Sequence, residues 1–365
     1  MKQISLILLA VVFAKSAFSL PIETEYAVSL NNTYGYTHYS EIKQKPNKQN
    51  NINSSFNFYG RLSYIHNEIY QTSVIGYLMV DSAKEIENYN QGKWGEEVYL
   101  LHENPYGEIS IGQNSNVAYN FAVGAPIVGS WSADNSDIAT FLTTSNWCKK
   151  GSRMSYKTLN TTYINTDGAS PKISYITPQY KGMEFGISYV PQTYSQSGLV
   201  SKYSDYKDKS AYIIGAYGNW DIKGFEVETS MGFADFQDND KEYSVGMSIY
   251  RKGWTVGGSY RLTEADKTHF SVNNILSDTY REGRAYNIGI KYEIGPFSSG
   301  IAYFDSKAKN QNNYDKIISF SNSYEYNKYT TLSFTTAHLK SGDEYNDQNK
   351  TTRGYAFILG LEFSL

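Results

Sequence analysis

The last eleven residues set the tightest limit on what this chain can become. Tyr355, Phe357, Leu359, Leu361, Phe363 and Leu365 alternate with Ala356, Ile358, Gly360, Glu362 and Ser364. One row is wholly apolar or aromatic, and the other is mostly small or polar. A period of two is the signature of a β-strand whose faces meet different surroundings. The pattern recurs upstream: Trp254, Val256, Gly258, Tyr260 and Leu262 against Thr255, Gly257, Ser259 and Arg261, and Tyr243, Val245, Met247 and Ile249 against Ser244, Gly246, Ser248 and Tyr250. Phe225–Ala234 and Tyr286–Glu293 read the same way.

The connections between these segments are lopsided. Short breaks fall at Asn104-Pro105-Tyr106-Gly107, Gln179-Tyr180-Lys181-Gly182, Asp221-Ile222-Lys223-Gly224, Arg251-Lys252-Gly253 and Ile294-Gly295-Pro296. They alternate with long polar stretches at 40–55, 82–93, 114–169, 192–208, 263–283 and 340–352. Tight turns at one end and long loops at the other belong to an outer-membrane β-barrel, apolar toward lipid and polar toward the lumen. Mean hydropathy is negative, so the chain is not a bundle of membrane helices. Only a closed barrel then satisfies the backbone in hydrocarbon. The 35 Tyr, 17 Phe and 5 Trp supply the aromatic girdles of such a barrel.

The fold class expected is therefore all-β, a transmembrane antiparallel β-barrel. Counting gives sixteen strands at 24–37, 56–65, 69–81, 94–103, 107–113, 170–177, 182–191, 209–220, 223–234, 241–251, 253–263, 284–294, 296–305, 314–323, 328–339 and 353–365. The third and fourth alternate poorly, as expected where both faces meet protein. Sixteen strands fall in the size class that encloses an aqueous channel. Residues 1–19 read as a secretory signal: Lys2, an apolar run from Ile4 to Ala14, and small residues in Ala17-Phe18-Ser19, with cleavage before Leu20. Residues 20–365 form one barrel domain. Loss of Lys2 and Lys15 takes the formal charge from −3 to −5, leaving no basic surplus to hold nucleic acid.

Two stretches carry a resemblance. Residues 173–191 read Ile-Ser-Tyr-Ile-Thr-Pro-Gln-Tyr-Lys-Gly-Met-Glu-Phe-Gly-Ile-Ser-Tyr-Val-Pro, and residues 106–113 read Tyr-Gly-Glu-Ile-Ser-Ile-Gly-Gln. The first resembles a hairpin of the Gram-negative general porins, most closely the alphaproteobacterial kind. The second is similar to the strand before that family's third loop. The resemblance implies a third loop folded into the barrel, here 114–169, with room for a short helix or an extra hairpin near 153–164. It implies a homotrimer in the cell outer membrane, in contact with outer-membrane lipid and lipopolysaccharide and inserted by the barrel-assembly machinery. The family usually ends in Phe or Trp; this chain ends in Leu365, with its nearest aromatic at Phe363.

A diffusion pore draws its selectivity from diameter and from the charges at its narrowest point. The resemblance puts acids on the third loop, here Asp134 and Asp137, opposite basic wall residues. Alternation turns Arg61, Arg261 and Lys291 toward the lumen, along with Glu108, Glu184, Glu226, Glu228 and Glu362. The family's dense arginine ladder is not visible. Acid excess and the mature charge point to cation preference. Lys149, Lys150 and Arg153 form a basic cluster beside the single Cys148, a cluster that fits the constriction, lipopolysaccharide or simple solvation. His38, His66, His102, His269 and His338 are scattered, with no metal-ligand spacing. No P-loop, dinucleotide fingerprint or nucleophile elbow is present.

The chain therefore reads as a porin forming a water-filled channel for passive diffusion of ions and small hydrophilic solutes, not an enzyme, with no cofactor. The alternative is a surface-exposed adhesin or structural barrel of little conductance, which the long loops 40–55 and 263–283 would serve. An outer-membrane phospholipase is a third reading, but no Ser/His/Asn group near one rim supports it.

Overall fold

The computed structural model describes residues 22–41, 50–67, 69–81, 93–129, 131–135, 138, 159, 161–168, 170–193, 210–237, 240–264, 282–309, 314–343 and 350–365. The expected signal segment, Asp137, His269 and the Cys148–Arg153 cluster lie outside these residues.

Sixteen strands follow in chain order. They are β1 (Ile22–Glu41), β2 (Asn50–Asn67), β3 (Tyr70–Asp81), β4 (Lys93–Asn104), β5 (Gly107–Gln113), β6 (Pro171–Ile176), β7 (Met183–Val190) and β8 (Ala211–Ile222), then β9 (Phe225–Phe236), β10 (Asp240–Arg251), β11 (Trp254–Glu264), β12 (Gly283–Ile294), β13 (Phe297–Ala308), β14 (Tyr314–Asn327), β15 (Thr330–Asp343) and β16 (Lys350–Ser364). A short helix, α1 (Val117–Asn120), follows β5. Every strand pairs antiparallel with its sequence neighbours, and β1 pairs with β16 to close the barrel. The closing register runs from Ser29 opposite Ser364 to Glu41 opposite Arg353. Closure leaves no strand edge unpaired, the condition for β-structure in hydrocarbon.

The alternation in the sequence becomes the two walls of the cylinder. On β16, Tyr355, Phe357, Leu359 and Phe363 are 41–55% exposed, while Ala356 and Ile358 are at most 1% exposed. The outward row carries Val256, Ile290, Ile301 and Phe320 at mid-height, all solvent-facing in the isolated barrel. At each end of this apolar band, outward aromatic rings pair across neighbouring strands. Trp254 lies 4.5 Å from Tyr292 and Phe297 4.6 Å from Tyr324 near the short turns. Tyr189–Tyr212, Phe233–Tyr243 and Tyr286–Tyr303 do the same near the long connections. Rings with an apolar body and a polar tip sit best where hydrocarbon meets water, so the pairs mark the two edges of the bilayer.

The short turns have a common device. Lys181-Gly182, Lys223-Gly224 and Lys252-Gly253 all have positive φ at both residues. That conformation is the type I′ turn, whose twist matches the strands it joins and whose second position favours Gly.

Several boundaries depart from the sequence reading, most clearly at β1–β2 and β14–β15. β1 and β2 run on past the expected 37 and begin before the expected 56, because their ladder continues beyond the apolar rows, with Tyr34 opposite Ile52 and Tyr36 opposite Asn50. The β14–β15 turn lies at Lys328-Tyr329 rather than between 323 and 328, because Tyr324 continues the outward aromatic row opposite Phe297.

Ile301 sits mid-strand between outward Ile290 and Phe320. Ile301→Arg is expected to destabilise the inserted barrel by about 2–4 kcal/mol, measured by denaturant unfolding from lipid vesicles, whereas Ile301→Leu should stay within about 1.5 kcal/mol of wild type.

Candidate functional site

The inward wall is built of small and polar residues, and the chain after β5 lies against it. Asn116 caps α1 by accepting from the Tyr119 amide at 2.9 Å. The Val117 amide then donates to Ser188 Oγ on β7 (3.1 Å), the Val123 amide to Ser230 Oγ on β9 (3.0 Å) and the Ala125 amide to Asn287 Oδ1 on β12 (3.1 Å). Further on, the Ala133 amide donates to Ser319 Oγ on β14 (2.9 Å), and the Trp131 indole donates to Thr33 Oγ1 on β1 (3.1 Å). Thr335 on β15 donates to the Trp131 carbonyl at 2.7 Å. Wall side chains thus satisfy the backbone donors of an irregular segment, which otherwise cost free energy when buried. A Cβ on Gly246 would run into the Val123 carbonyl oxygen, so this position admits only glycine while the segment lies there.

Apolar contacts complete the seat. Ala133, Ile138 and Leu159 cluster with inward Phe304, Ile317, Leu339 and Ile358 on β13–β16. Ala118 and Ile164 join inward Val190, Ile213 and Phe236 on β7–β9.

Two buried ion pairs pin the far arm of the segment. Arg261 on β11 meets Glu242 on β10 at 2.7 Å, and both side chains are nearly inaccessible. The same guanidinium donates to Thr166 Oγ1 (2.9 Å) and Asn165 Oδ1 (3.0 Å), and the Thr166 hydroxyl donates to Glu242. Lys172 on β6 meets Asp167 at 3.1 Å with both side chains fully buried. Asn116 Nδ2 donates to the other Asp167 oxygen at 2.6 Å. Burial pushes the Asp167 carboxyl above its ordinary range, while the Lys172 ammonium and the Asn116 amide pull it down. Burial likewise raises the Tyr163 phenol, and Asp134 nearby adds to the rise.

The register places Arg61, Arg261, Lys291, Glu108, Glu184, Glu226, Glu228 and Glu362 on the inward wall. Arg61 pairs with Glu103 and donates to Ser63 and Ser73 (3.1 Å each). Lys291 pairs with Glu293 at 3.1 Å. Asp134 is buried, and its carbonyl accepts from Asn287 at 2.7 Å. Glu184 on β7 lies opposite Tyr217 on β8, whose hydroxyl donates to Glu228 on β9 at 2.7 Å. Sequence reasoning missed Lys172, Asp167 and Glu242. It also missed His66 and His102, which meet on the outward face with Thr72 Oγ1 3.0 Å from a ring nitrogen of each. Among the described residues, no group of three or more His, Cys, Asp or Glu is placed to hold a metal ion.

A sixteen-stranded closed barrel with an apolar exterior and a polar, ion-paired interior is a vessel for water across a membrane. The sequence profile of the Gram-negative porins matches residues 28–344. This chain belongs to the Gram-negative porin family. Its fold is similar to Salmonella typhi OmpF, solved in complex with daunomycin (TM-score 0.60, 13% identity, 94% of this chain and 97% of that one). It is also similar to a loop L8 deletion mutant of Vibrio cholerae OmpT (0.58, 10%, 94% and 99%) and to a double mutant of the Rhodopseudomonas blastica porin (0.53, 11%, 94% and 100%). No individual curated protein matches at a significant level. The protein is an outer-membrane porin, a channel for passive diffusion.

Glu242→Ala strands the Arg261 guanidinium in a buried site. We expect it to cost about 3–5 kcal/mol in denaturant unfolding, and the double replacement Arg261→Met with Glu242→Met to cost far less.

Proposed function

We propose that this porin is a cation-preferring general diffusion channel, narrowed by the segment 114–169 acting as the inward-folded third loop. One observation carries the preference. Among the described inward side chains, Arg61, Lys172, Arg261 and Lys291 each have a carboxylate at ion-pair distance, whereas Glu97, Glu108, Glu184, Glu226 and Glu228 have no cation at that distance. The wall charge left uncompensated is negative, and a negative lumen favours cations. Asp137 on the loop would add to it, with Arg61 and Lys291 as the opposing wall; Asp134, buried beside Asn287, and Arg261, held against Glu242 beneath the segment, are withdrawn from the water path, and Glu362 would act nearer the short-turn rim. The bonds from Val117, Val123, Ala125 and Ala133 to the wall support the loop reading.

The chain is exported on residues 1–19 and works as a homotrimer amid outer-membrane lipid and lipopolysaccharide. The outward rows of β16 and the early strands supply the subunit contact. It makes and breaks no bonds, so no catalytic group or cofactor is required.

A planar bilayer under a potassium chloride gradient tests the preference: the reversal potential should carry the sign of potassium permeation, and the sign of chloride permeation would overturn it. Gly246→Val tests the loop. By forcing Val123 off the wall it should change single-channel conductance by more than about a quarter relative to wild type, at unchanged heat-modifiable gel mobility; unchanged conductance would remove the loop from the constriction. Liposome swelling with sugars of graded size should show uptake with a cutoff, and a folded barrel admitting none would point to an adhesin instead.

A further inference from the structure

Among the described residues, the bonds of the segment after β5 leave one part of the inward wall unengaged. From Ser188 on β7 round to Thr33 on β1, wall side chains are engaged by residues 117–133. Among the described residues, the inward faces of β2 and β3 have no hydrogen bond to the segment, and β4 meets it through Ser115, whose hydroxyl donates to Glu97 Oε1 at 2.9 Å. Among the described residues, the stretch of inward wall least engaged by the segment therefore runs along β2–β4.

That stretch is lined with tyrosines. Tyr59 on β2 lies directly opposite Tyr77 on β3, and Tyr77 lies directly opposite Glu97 on β4. Tyr99 follows two residues along the same face. All three rings are half-buried. Across the gap, Tyr119 on α1 is 43% exposed, stands edge-on to Tyr163 with ring centroids 6.1 Å apart and lies within electrostatic reach of Tyr77. One carboxylate, Glu97, belongs to the group, while Glu108 on β5 lies opposite Glu103, nearer the short turns.

The neighbouring cations are already engaged. Arg61 is held by Glu103. Lys172 on the inward face of β6 is fully buried against Asp167 and donates to the Asn114 and Gly168 carbonyls. Ring faces carry negative quadrupole charge, and an ammonium over one gains about 0.5–1 kcal/mol at an accessible site. Carboxylates beside such faces strengthen the attraction, and the rings favour a flat apolar body over a hydrated inorganic ion.

We propose that Tyr59, Tyr77, Tyr99 and Tyr119, with Glu97, form a subsite for organic cations that carry an aromatic or flat apolar group. The inference rests on the pore reading above and adds a solute class to it. Such a solute lingers in the passage and interrupts the inorganic current while bound, so the channel is permeable but not indifferent to it.

The probe is phenethylammonium added to the full-length protein in a planar bilayer carrying potassium current, with methylammonium and phenethyl alcohol as controls. Phenethylammonium should block the current reversibly at millimolar concentration, and neither control should block at the same concentration. Tyr77→Leu with Tyr99→Leu should raise the half-blocking concentration at least about threefold, and Glu97→Gln should do the same. Tyr77→Phe with Tyr99→Phe keeps the ring faces and should retain the block. Heat-modifiable gel mobility confirms that each variant is folded. A conducting wild-type channel without block, equal block by methylammonium, or block unchanged in both the Leu and Gln variants would overturn the subsite alone. A wild-type barrel that passes no current would overturn the pore reading and the subsite together.

Discussion

Backbone hydrogen bonding in a medium without water governs this structure. A peptide group left unpaired in hydrocarbon costs several kcal/mol, so a chain of polar average composition enters a bilayer as strands only if the last strand returns to the first. The β1–β16 register supplies that return. Closure then separates solvent into lipid outside and water inside. The two-residue period follows, because successive side chains of a strand point to opposite faces. The Lys-Gly turns, the aromatic pairs at the two edges and the apolar mid-band are local answers to the same requirement.

The interior follows a second rule, that irregular backbone at membrane depth must be satisfied by protein. The segment after β5 meets it through hydroxyls and amides on wall strands: Ser188, Ser230, Asn287, Ser319 and Thr335. Short wall side chains do two things at once, since they reach backbone groups and leave space for the segment. Where even a methyl is too large, as at Gly246, the wall has glycine. Arg261 with Glu242 and Lys172 with Asp167 spend inward-facing charges on anchoring. Those cations therefore serve structure and do not face the water path.

Much of the barrel was legible in the sequence because lipid imposes a strict pattern on strands such as β9–β12 and β16. Legibility ended where the sequence carries no such pattern. The start of β2 reads Asn-Asn-Ile-Asn-Ser-Ser, without a period of two, yet it pairs with β1, Asn50 opposite Tyr36. The helix α1 spans four residues, too short for a 3.6-residue period to register. Contacts of the interior segment join residues far apart in sequence, Val117 with Ser188 and Trp131 with Thr335, and no local pattern encodes them. Arg261 and Glu108 could be assigned to the inward face from alternation, but whether a charge is free or locked in a pair depends on partners from other strands. His66 and His102 looked scattered for the same reason; Thr72 brings them together across β2–β4.

The central claim is that one face of each strand touches acyl chains and the other touches water or protein. Single cysteines from Phe225 to Met231 in a Cys148→Ser background, each carrying a fluorophore, test it along β9, away from the proposed subunit contact, with brominated lipids as membrane quencher and iodide as aqueous quencher. The account predicts quenching by brominated chains at 225, 227, 229 and 231 and protection from it at 226, 228 and 230. Uniform iodide quenching along the strand with no period of two would contradict it.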